Sequence, residues 1–269
     1  MAKALSRLQK RLYQASQIDD EWPTYNQPTA FHLKGNLDIN TIKKNLQTLG
    51  QIHPELGKKK IPFFTEDFSS FRKKDRFQKA LEFLDLHSRD PISLNKPPFL
   101  QASIAILGPH EHLLFFNWHL IAADSHSSRL FLKQFSQLYN GKPSIKKAIS
   151  RKVHVIKESK RGSAYWKKVL ESANPILELP VTSSQPNEDI RKGEVVNDFL
   201  NPTLTKQLHA FEKKHKTELF RLLQTAFGAF LYRYTGQEDF IVGYPVNLRP
   251  KGMNNRFGFF LNTLDLFRN

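Results

Sequence analysis

A chain of 269 residues with 39% hydrophobic and 25% charged side chains has material for about two domains and a sizeable core, which excludes wholesale disorder. Its 41 Lys and Arg against 25 Asp and Glu give a net charge of +16, which suits an acidic partner: nucleic acid, anionic lipid or an acidic protein. With no cysteine, disulfides, thiolate metal sites, iron–sulfur clusters and a cysteine nucleophile are excluded, and no apolar run approaches the ~18 residues of a membrane span.

The opening Met1-Ala2-Lys3-Ala4-Leu5-Ser6-Arg7 lacks the apolar core of a signal peptide, so a soluble, cytoplasmic protein with no membrane partner is expected. Residues 6–15 have the spacing of a short helix, with Leu5, Leu8 and Leu12 along one face. Residues 22–28 read as loop, and 29–33 as a short strand ended by Gly35. Asp38 is a fitting N-cap for a helix in which Ile42, Leu46 and Leu49 recur at i, i+4 and i+7. Residues 57–75 read as a surface loop, where Lys58, Lys59, Lys60, Arg72, Lys73 and Lys74 surround several phenylalanines. Two strands, 99–107 and 113–121, flank a turn at Gly108-Pro109 and pair as a hairpin inside a sheet. Asp124 or Ser125 then caps a helix with Phe131, Phe135 and Leu138 as its apolar stripe, stopped by Asn140-Gly141 and Pro143.

Residues 142–168 hold ten Lys or Arg and one acid, Glu158, a surplus of nine positive charges. A boundary is expected just beyond, separating an N-terminal lobe, 1–175, from a C-terminal lobe, 176–269. The second part predicts a strand at 194–200, a helix at 203–215 and another at 218–234. Leu219, Leu222, Leu223, Phe227, Phe230 and Leu231 cover much of the circumference of that last helix and predict a buried one. A short strand at 240–242 precedes Gly243 and Pro245, and a strand-like tail occupies 257–267. Helices and strands mix throughout, so the fold class is α/β.

The densest group of chemistry-bearing side chains is His110, His112, His119, Asp124 and His126. Imidazole and carboxylate are ordinary metal ligands, but His110 and His112 share a strand parity that His119 lacks, so a regular strand turns them to opposite faces. A second reading makes a site of His119 at the end of a buried strand and Asp124 at the head of the next helix, where backbone N–H groups converge. In a third, His119 is a satisfied core histidine and Asp124 simply an N-cap. Nucleic acid is not an expected partner, because no helix-turn-helix, RNA-binding or zinc pattern accompanies the charge.

The segment Phe116-Asn117-Trp118-His119-Leu120-Ile121-Ala122-Ala123-Asp124-Ser125 resembles the His-His-x-x-x-Asp-Gly motif of the condensation domains of nonribosomal peptide synthetases. These domains are relatives of chloramphenicol acetyltransferase and the acyl-CoA-dependent acyltransferases. In register, His119 takes the first histidine, Leu120 the second, Asp124 the aspartate and Ser125 the glycine. Ser6-Arg7-Leu8-Gln9-Lys10-Arg11-Leu12-Tyr13 resembles the family's opening Ser-x-x-Gln-x-Arg-Leu-Trp motif, and Tyr25-Asn26-Gln27-Pro28 and Leu33-Lys34-Gly35-Asn36-Leu37-Asp38 follow in the family's order. His53-Pro54-Glu55-Leu56 is similar to its Arg-His-x-x-Leu-Arg motif, with Ile52 and Gly57 in place of the arginines. Leu138-Tyr139-Asn140-Gly141, Leu177-Glu178-Leu179-Pro180 and Leu231-Tyr232-Arg233-Tyr234-Thr235-Gly236-Gln237-Glu238-Asp239 fit as well. Gly243-Tyr244-Pro245-Val246-Asn247-Leu248-Arg249 and Phe257-Gly258-Phe259-Phe260-Leu261-Asn262-Thr263-Leu264 complete a resemblance that runs through the whole chain.

The resemblance implies a two-lobed fold of the chloramphenicol acetyltransferase type, with a site near residues 119–124. It implies amide bond formation, in which an amine on one carrier protein attacks an acyl or peptidyl thioester on the phosphopantetheine of another. No metal, nucleotide or other bound cofactor is implied, and the expected partner is an acidic acyl or peptidyl carrier protein. His119 and Asp124 are the candidate catalytic-motif residues. The family's motif aspartate is structural and pairs with the arginine of a Gly-x-Pro-x-x-x-Arg segment, so Asp124 and Arg249 are the expected ion pair. Two departures shape the expected function. The family's second histidine faces the reaction centre as general base or as positioner of the amine, and Leu120 has no lone pair to take a proton. The family's domain also continues past the Asn-Thr-Leu segment, so an incomplete, truncated C-terminal lobe is expected, its open surface met by a complementary chain or by self-association. The expectation is a degenerate, inactive condensation-like protein. The alternatives are an acyltransferase that uses His119 and a non-catalytic module for an acidic carrier.

Overall fold

The structure, a computed structural model, describes residues 5–17, 23–57, 59–94, 97–142, 159–171, 174, 176–180 and 196–267. The chain divides into two compact units, Met1–Ile156 with Val246–Asn262, and Lys157–Pro245 with Thr263–Asn269.

The first unit starts with α1 (Arg7–Ser16), held by a capping box: Ser6 Oγ accepts from the Gln9 N–H and Gln9 Oε1 accepts from the Ser6 N–H. Then come β1 (Asn26–Lys34), α2 (Ile39–Ile52), a 3₁₀ turn (Pro54–Leu56), β2 (Phe63–Asp67), α3 (Lys73–Ser88), β3 (Leu100–Gly108), β4 (Glu111–His119) and α4 (Ser125–Tyr139). Asp38 and Asp124 are the N-caps of α2 and α4; each accepts hydrogen bonds from N–H groups of the first turn. The described strands form a sheet in the order β1-β4-β3-β2, with β4 antiparallel to β1 and β3, and β2 parallel to β3. Helices cover both faces, so β4 is buried at every position after Glu111, and its centre, Leu113 to Phe116, is apolar on both faces. Leu114, Phe116 and Trp118 point to the layer that holds Ile42, Leu46 and Leu49 of α2 with Phe131 and Phe135 of α4. Leu113 and Phe115 point the other way, to Ala80 and Leu84 of α3.

The capped helices and the β3–β4 hairpin follow the sequence pattern; two stretches of this unit depart from it. β1 begins at Asn26, inside the expected loop, and runs through Pro28; as an edge strand it tolerates the missing N–H. Residues 57–75 are not a loop: they hold β2 and the start of α3. β2 owes its conformation to a parallel pairing with β3, a contact between residues far apart in sequence that periodicity does not encode. Gln47 of α2 steadies the chain just before it, donating from Nε2 to the Ile61 carbonyl at 2.8 Å and accepting the Ile61 N–H at 2.9 Å.

The remaining elements are α5 (Lys160–Leu170), α6 (Pro202–His215), α7 (Leu219–Thr235), β5 (Ile241–Asn247) and β6 (Leu261–Phe267), the last two paired in a two-stranded sheet. Asn201 caps α6 with Pro202 in its first turn, and Gly236 ends α7 in the left-handed conformation, φ 73°. β5 extends to Asn247, and the strand-like tail is regular only from Leu261. Two expectations are corrected here. Residues 196–200 carry no strand; Val196 and Phe199 stand exposed. α7 is not a buried helix: among the described residues Leu231 is its one buried position. An apolar circumference shows which surfaces a helix would bury, and no described element covers that side of α7. Residues 143–158, most of the basic stretch, lie outside the described residues, while α5 carries Lys160, Arg161, Lys167 and Lys168. No helix of the described residues is long and apolar enough to cross a membrane.

Candidate functional site at the β4–α4 junction

β4 ends on His119 and α4 begins at Ser125, so five residues turn the chain from the middle of the sheet into a helix. Main-chain bonds fix the turn. The His119 N–H donates to Phe99, the Leu120 N–H to the Tyr25 carbonyl at 2.9 Å, and the Ala122 N–H back to the His119 carbonyl at 3.0 Å. The His119 side chain is 5% exposed, and its ring folds back on the same turn: Nδ1 accepts the Ile121 N–H at 3.1 Å. That bond sets the neutral tautomer with the proton on Nε2. Burial pushes the imidazole down to about 4. Leu120, next to it, is partly exposed.

Asp124 is 1% exposed and all of its acceptor capacity is used. Oδ1 accepts the Ser127 N–H at 2.8 Å and Arg249 Nη2 at 3.1 Å, while Oδ2 accepts the Phe260 N–H at 3.0 Å and the same Nη2 at 3.3 Å. Arg249 also donates from Nη2 to Ser127 Oγ at 2.9 Å and from Nε to the Arg256 carbonyl at 3.2 Å, and its guanidinium lies 4.4 Å from the centre of the Phe260 ring. Ser127 Oγ in turn donates to the Gly258 carbonyl at 2.6 Å and accepts the Gly258 N–H at 3.0 Å. Asp124, Ser127 and Arg249 thus form one buried cluster that pins residues 249–260 to the head of α4. A carboxylate held through four contacts by three donor groups is an anchor and has little freedom to shuttle a proton.

The histidines singled out in the sequence do not gather. His126 donates from Nε2 to the Asn254 carbonyl at 2.7 Å, and His112 lies inside β4, its basicity lowered by burial first and then by His110. Among the described residues no three His, Asp or Glu side chains are placed to hold a metal ion. Distant motif segments do converge on the turn. Gln9 donates from Nε2 to the Ile121 carbonyl at 2.9 Å. His53, fully buried, donates from Nε2 to Gln134 Oε1 of α4 and lies 4.5 Å, centre to centre, from the Phe257 ring. Sequence reasoning missed Ser127 and the Gly258 and Phe260 main-chain groups. The one available signal was the place of Ser127 three residues after an N-cap aspartate, where its N–H is bound to meet the cap.

Residues 2–267 match the family model of the Condensation domain. Bacitracin synthase 1 of Bacillus licheniformis is 30% identical over 97% of this chain, which spans 5% of that protein's length. Bacitracin synthase 2 of Bacillus licheniformis is 27% identical over 97% of the chain, which spans 11% of it. Among solved structures, the first condensation domain of the calcium-dependent antibiotic synthetase superposes with a TM-score of 0.74 at 19% identity, covering 98% of this chain and 69% of that one. A four-domain nonribosomal peptide synthetase bound to AMP and glycine superposes with a TM-score of 0.83 at 19% identity, covering 99% of this chain and 22% of that one. The fold is therefore the α/β, chloramphenicol acetyltransferase-like fold of condensation domains. With the family model matched over nearly its whole length, this chain belongs to the Condensation domain family.

Proposed function

We propose that this chain descends from amide-forming condensation domains, has lost the chemical step, and keeps a role as a binding module for a carrier protein bearing a phosphopantetheine thioester. The observation that carries the reading is the pair at the strand end. Leu120 stands where the family has the histidine of the reaction centre, and it can neither accept a proton nor orient an amine. The neighbouring His119 is a poor substitute. Its Nδ1 is taken by the Ile121 N–H, and a ring pushed down to about 4 is a weak base at neutral pH. The Asp124–Arg249 anchor, by contrast, is intact, which fits a retained scaffold. A net charge of +16 supports an acidic carrier as partner.

The test is a condensation assay with donor and acceptor thioesters on carrier proteins, beside a binding assay with the acidic carrier. Wild type and His119→Ala are expected to show the same background rate, and carrier binding is expected to weaken as salt is raised. A positioned base contributes about 10²–10⁴ in rate, so wild-type turnover that His119→Ala removes would establish an acyltransferase working through His119 and reject the proposal. Binding of short DNA as tightly as the carrier, with the same salt dependence, would reject the carrier assignment.

A further inference from the structure

Four exposed lysines gather on one side of the first unit. Lys43 and Lys44 stand on the outer face of α2, and Lys59 and Lys60 on the segment that leads into β2. Gln47, one turn after Lys43, binds both main-chain groups of Ile61 and so holds that segment against α2. Lys43 Nζ lies 5.4 Å from the centre of the Phe63 ring at the start of β2. Residues 39–65 contain five lysines and a single acid, Glu55, which is half-buried and interacts with Arg256. Among the described residues no carboxylate pairs with any of the four exposed lysines. The rest of this helix face is Gln47, Thr48 and Gln51, so it is polar throughout and carries no apolar stripe in need of cover.

We propose that this face is the docking surface for the carrier protein of the reading above, on which the proposal rests, with the acidic side chains of one carrier helix set against Lys43, Lys44, Lys59 and Lys60. Its place in the fold supports this. β4 is antiparallel to β3 and β2 is parallel to β3, so β2 begins at the edge of the sheet where β4 ends on His119. The link is direct: the Phe99 N–H donates to the Leu56 carbonyl and the His119 N–H to the Phe99 carbonyl, each at 3.0 Å. Two strand spacings, about 10 Å, separate Leu56 from His119, and three or four residues of extended chain add at most about 14 Å to Lys59 and Lys60. A carrier held there starts its phosphopantetheine arm at the same edge of the sheet as the 119–124 turn. The residue types select a protein. Lysine is a compact, hydrated point charge that takes an acid from many directions, which suits carboxylates spread over a helix. Nucleic acid is read by arginine forks on base edges and by aromatic rings under bases. Here all four cations are lysine; Phe63 lies under Lys43, and Phe64 is stacked on His87 of α3.

The whole chain is titrated with a holo acyl carrier protein at low salt, and dissociation constants are read from fluorescence anisotropy. The patch variant is Lys44→Glu with Lys60→Glu, because neither ammonium is bonded within the described residues. The control is Lys73→Glu with Lys74→Glu, the same charge change on exposed residues of α3. Each reversal at the docking surface replaces an attraction by a repulsion. The patch variant is therefore expected to bind at least ~10-fold more weakly, and the control within ~3-fold of wild type at the same salt. Lys44→Gln with Lys60→Gln, which adds no acid, is expected to fall between them. A carrier whose helix acids are replaced by lysine is expected to bind the patch variant better than it binds wild type. Equal weakening by the patch and control variants overturns the docking surface and leaves the carrier reading standing, whereas a wild type that binds no carrier at low salt overturns both. Short DNA or vesicles of anionic lipid held as tightly as the carrier, and lost in parallel in the patch variant, also overturn the proposal, by showing a surface for any polyanion.

Discussion

Arg249 places Nη2 3.1 Å from Asp124 Oδ1, with the two side chains 1% and 2% exposed, although 125 residues of chain separate them. The pair is the ionic link between the β4–α4 turn and the segment 246–262. Removing one partner leaves the other as an uncompensated charge in the interior, which costs about 3–5 kcal/mol. Arg249→Ala and Asp124→Asn are therefore each expected to lower stability by about that amount in urea unfolding. Arg249→Lys is expected to recover little, because one ammonium cannot replace donors aimed at Asp124, Ser127 and the Arg256 carbonyl together.

Ser127 ties the same cluster to Gly258. Ser127→Ala removes a hydroxyl that serves the Gly258 N–H, the Gly258 carbonyl and Arg249 at once, in a position with no exposed surface. Unsatisfied buried groups cost about 1–3 kcal/mol, and that is the expected loss of stability. Its effect is expected to be non-additive with Arg249→Ala in a double-mutant cycle, with a coupling of at least about 0.5 kcal/mol. Simple addition would mean that the serine and the arginine act as separate contacts.

The parts of this molecule legible in the sequence are those governed by neighbours in sequence. The Ser6–Gln9 box, the Asp38 and Asp124 caps and the β3–β4 hairpin all depend on residues within a few positions of one another. β2 was illegible because a parallel pairing gives it its conformation, and α7 was misjudged because an apolar helix reveals a need for cover and not the cover itself. At the site, the resemblance named Asp124 and Arg249, but the role of Ser127 depends on where Gly258 arrives, 131 residues later.

Gly57 explains one departure from the family's motifs. It occupies the position of a motif arginine, yet its φ is +101° and a Cβ built there would lie 2.2 Å from Pro97 Cβ. Both the left-handed backbone and the proline exclude a side chain. Gly57→Ala is expected to destabilise the chain by at least about 1–3 kcal/mol, and Gly57→Arg, which would restore the motif residue, is expected to be no better. Unfolding curves that coincide with wild type would show that the backbone at Gly57 relaxes at no cost.

The remaining prediction concerns His119, whose imidazole is pushed by burial from the ordinary 6.5 down to about 4. Between these values the unfolded chain takes up a proton on this ring that the folded chain refuses, so folding loses ground as pH falls through the window. The contribution is complete above pH 6.5 and levels off below about 4, where both states carry the proton. At 1.36 kcal/mol per pKa unit the full interval amounts to about 3 kcal/mol. Other groups titrate in the same range, and His53 is also pushed down by burial, so the informative quantity is a difference between proteins. His119→Asn keeps an acceptor for the Ile121 N–H and does not titrate. From pH 7 to pH 4, wild type is expected to lose up to about 3 kcal/mol more stability than His119→Asn in urea unfolding. Parallel losses in the two proteins would mean that the ring ionises as freely folded as unfolded. His119 would then be a competent proton acceptor at neutral pH, and the argument that this chain has no working base would fail with it.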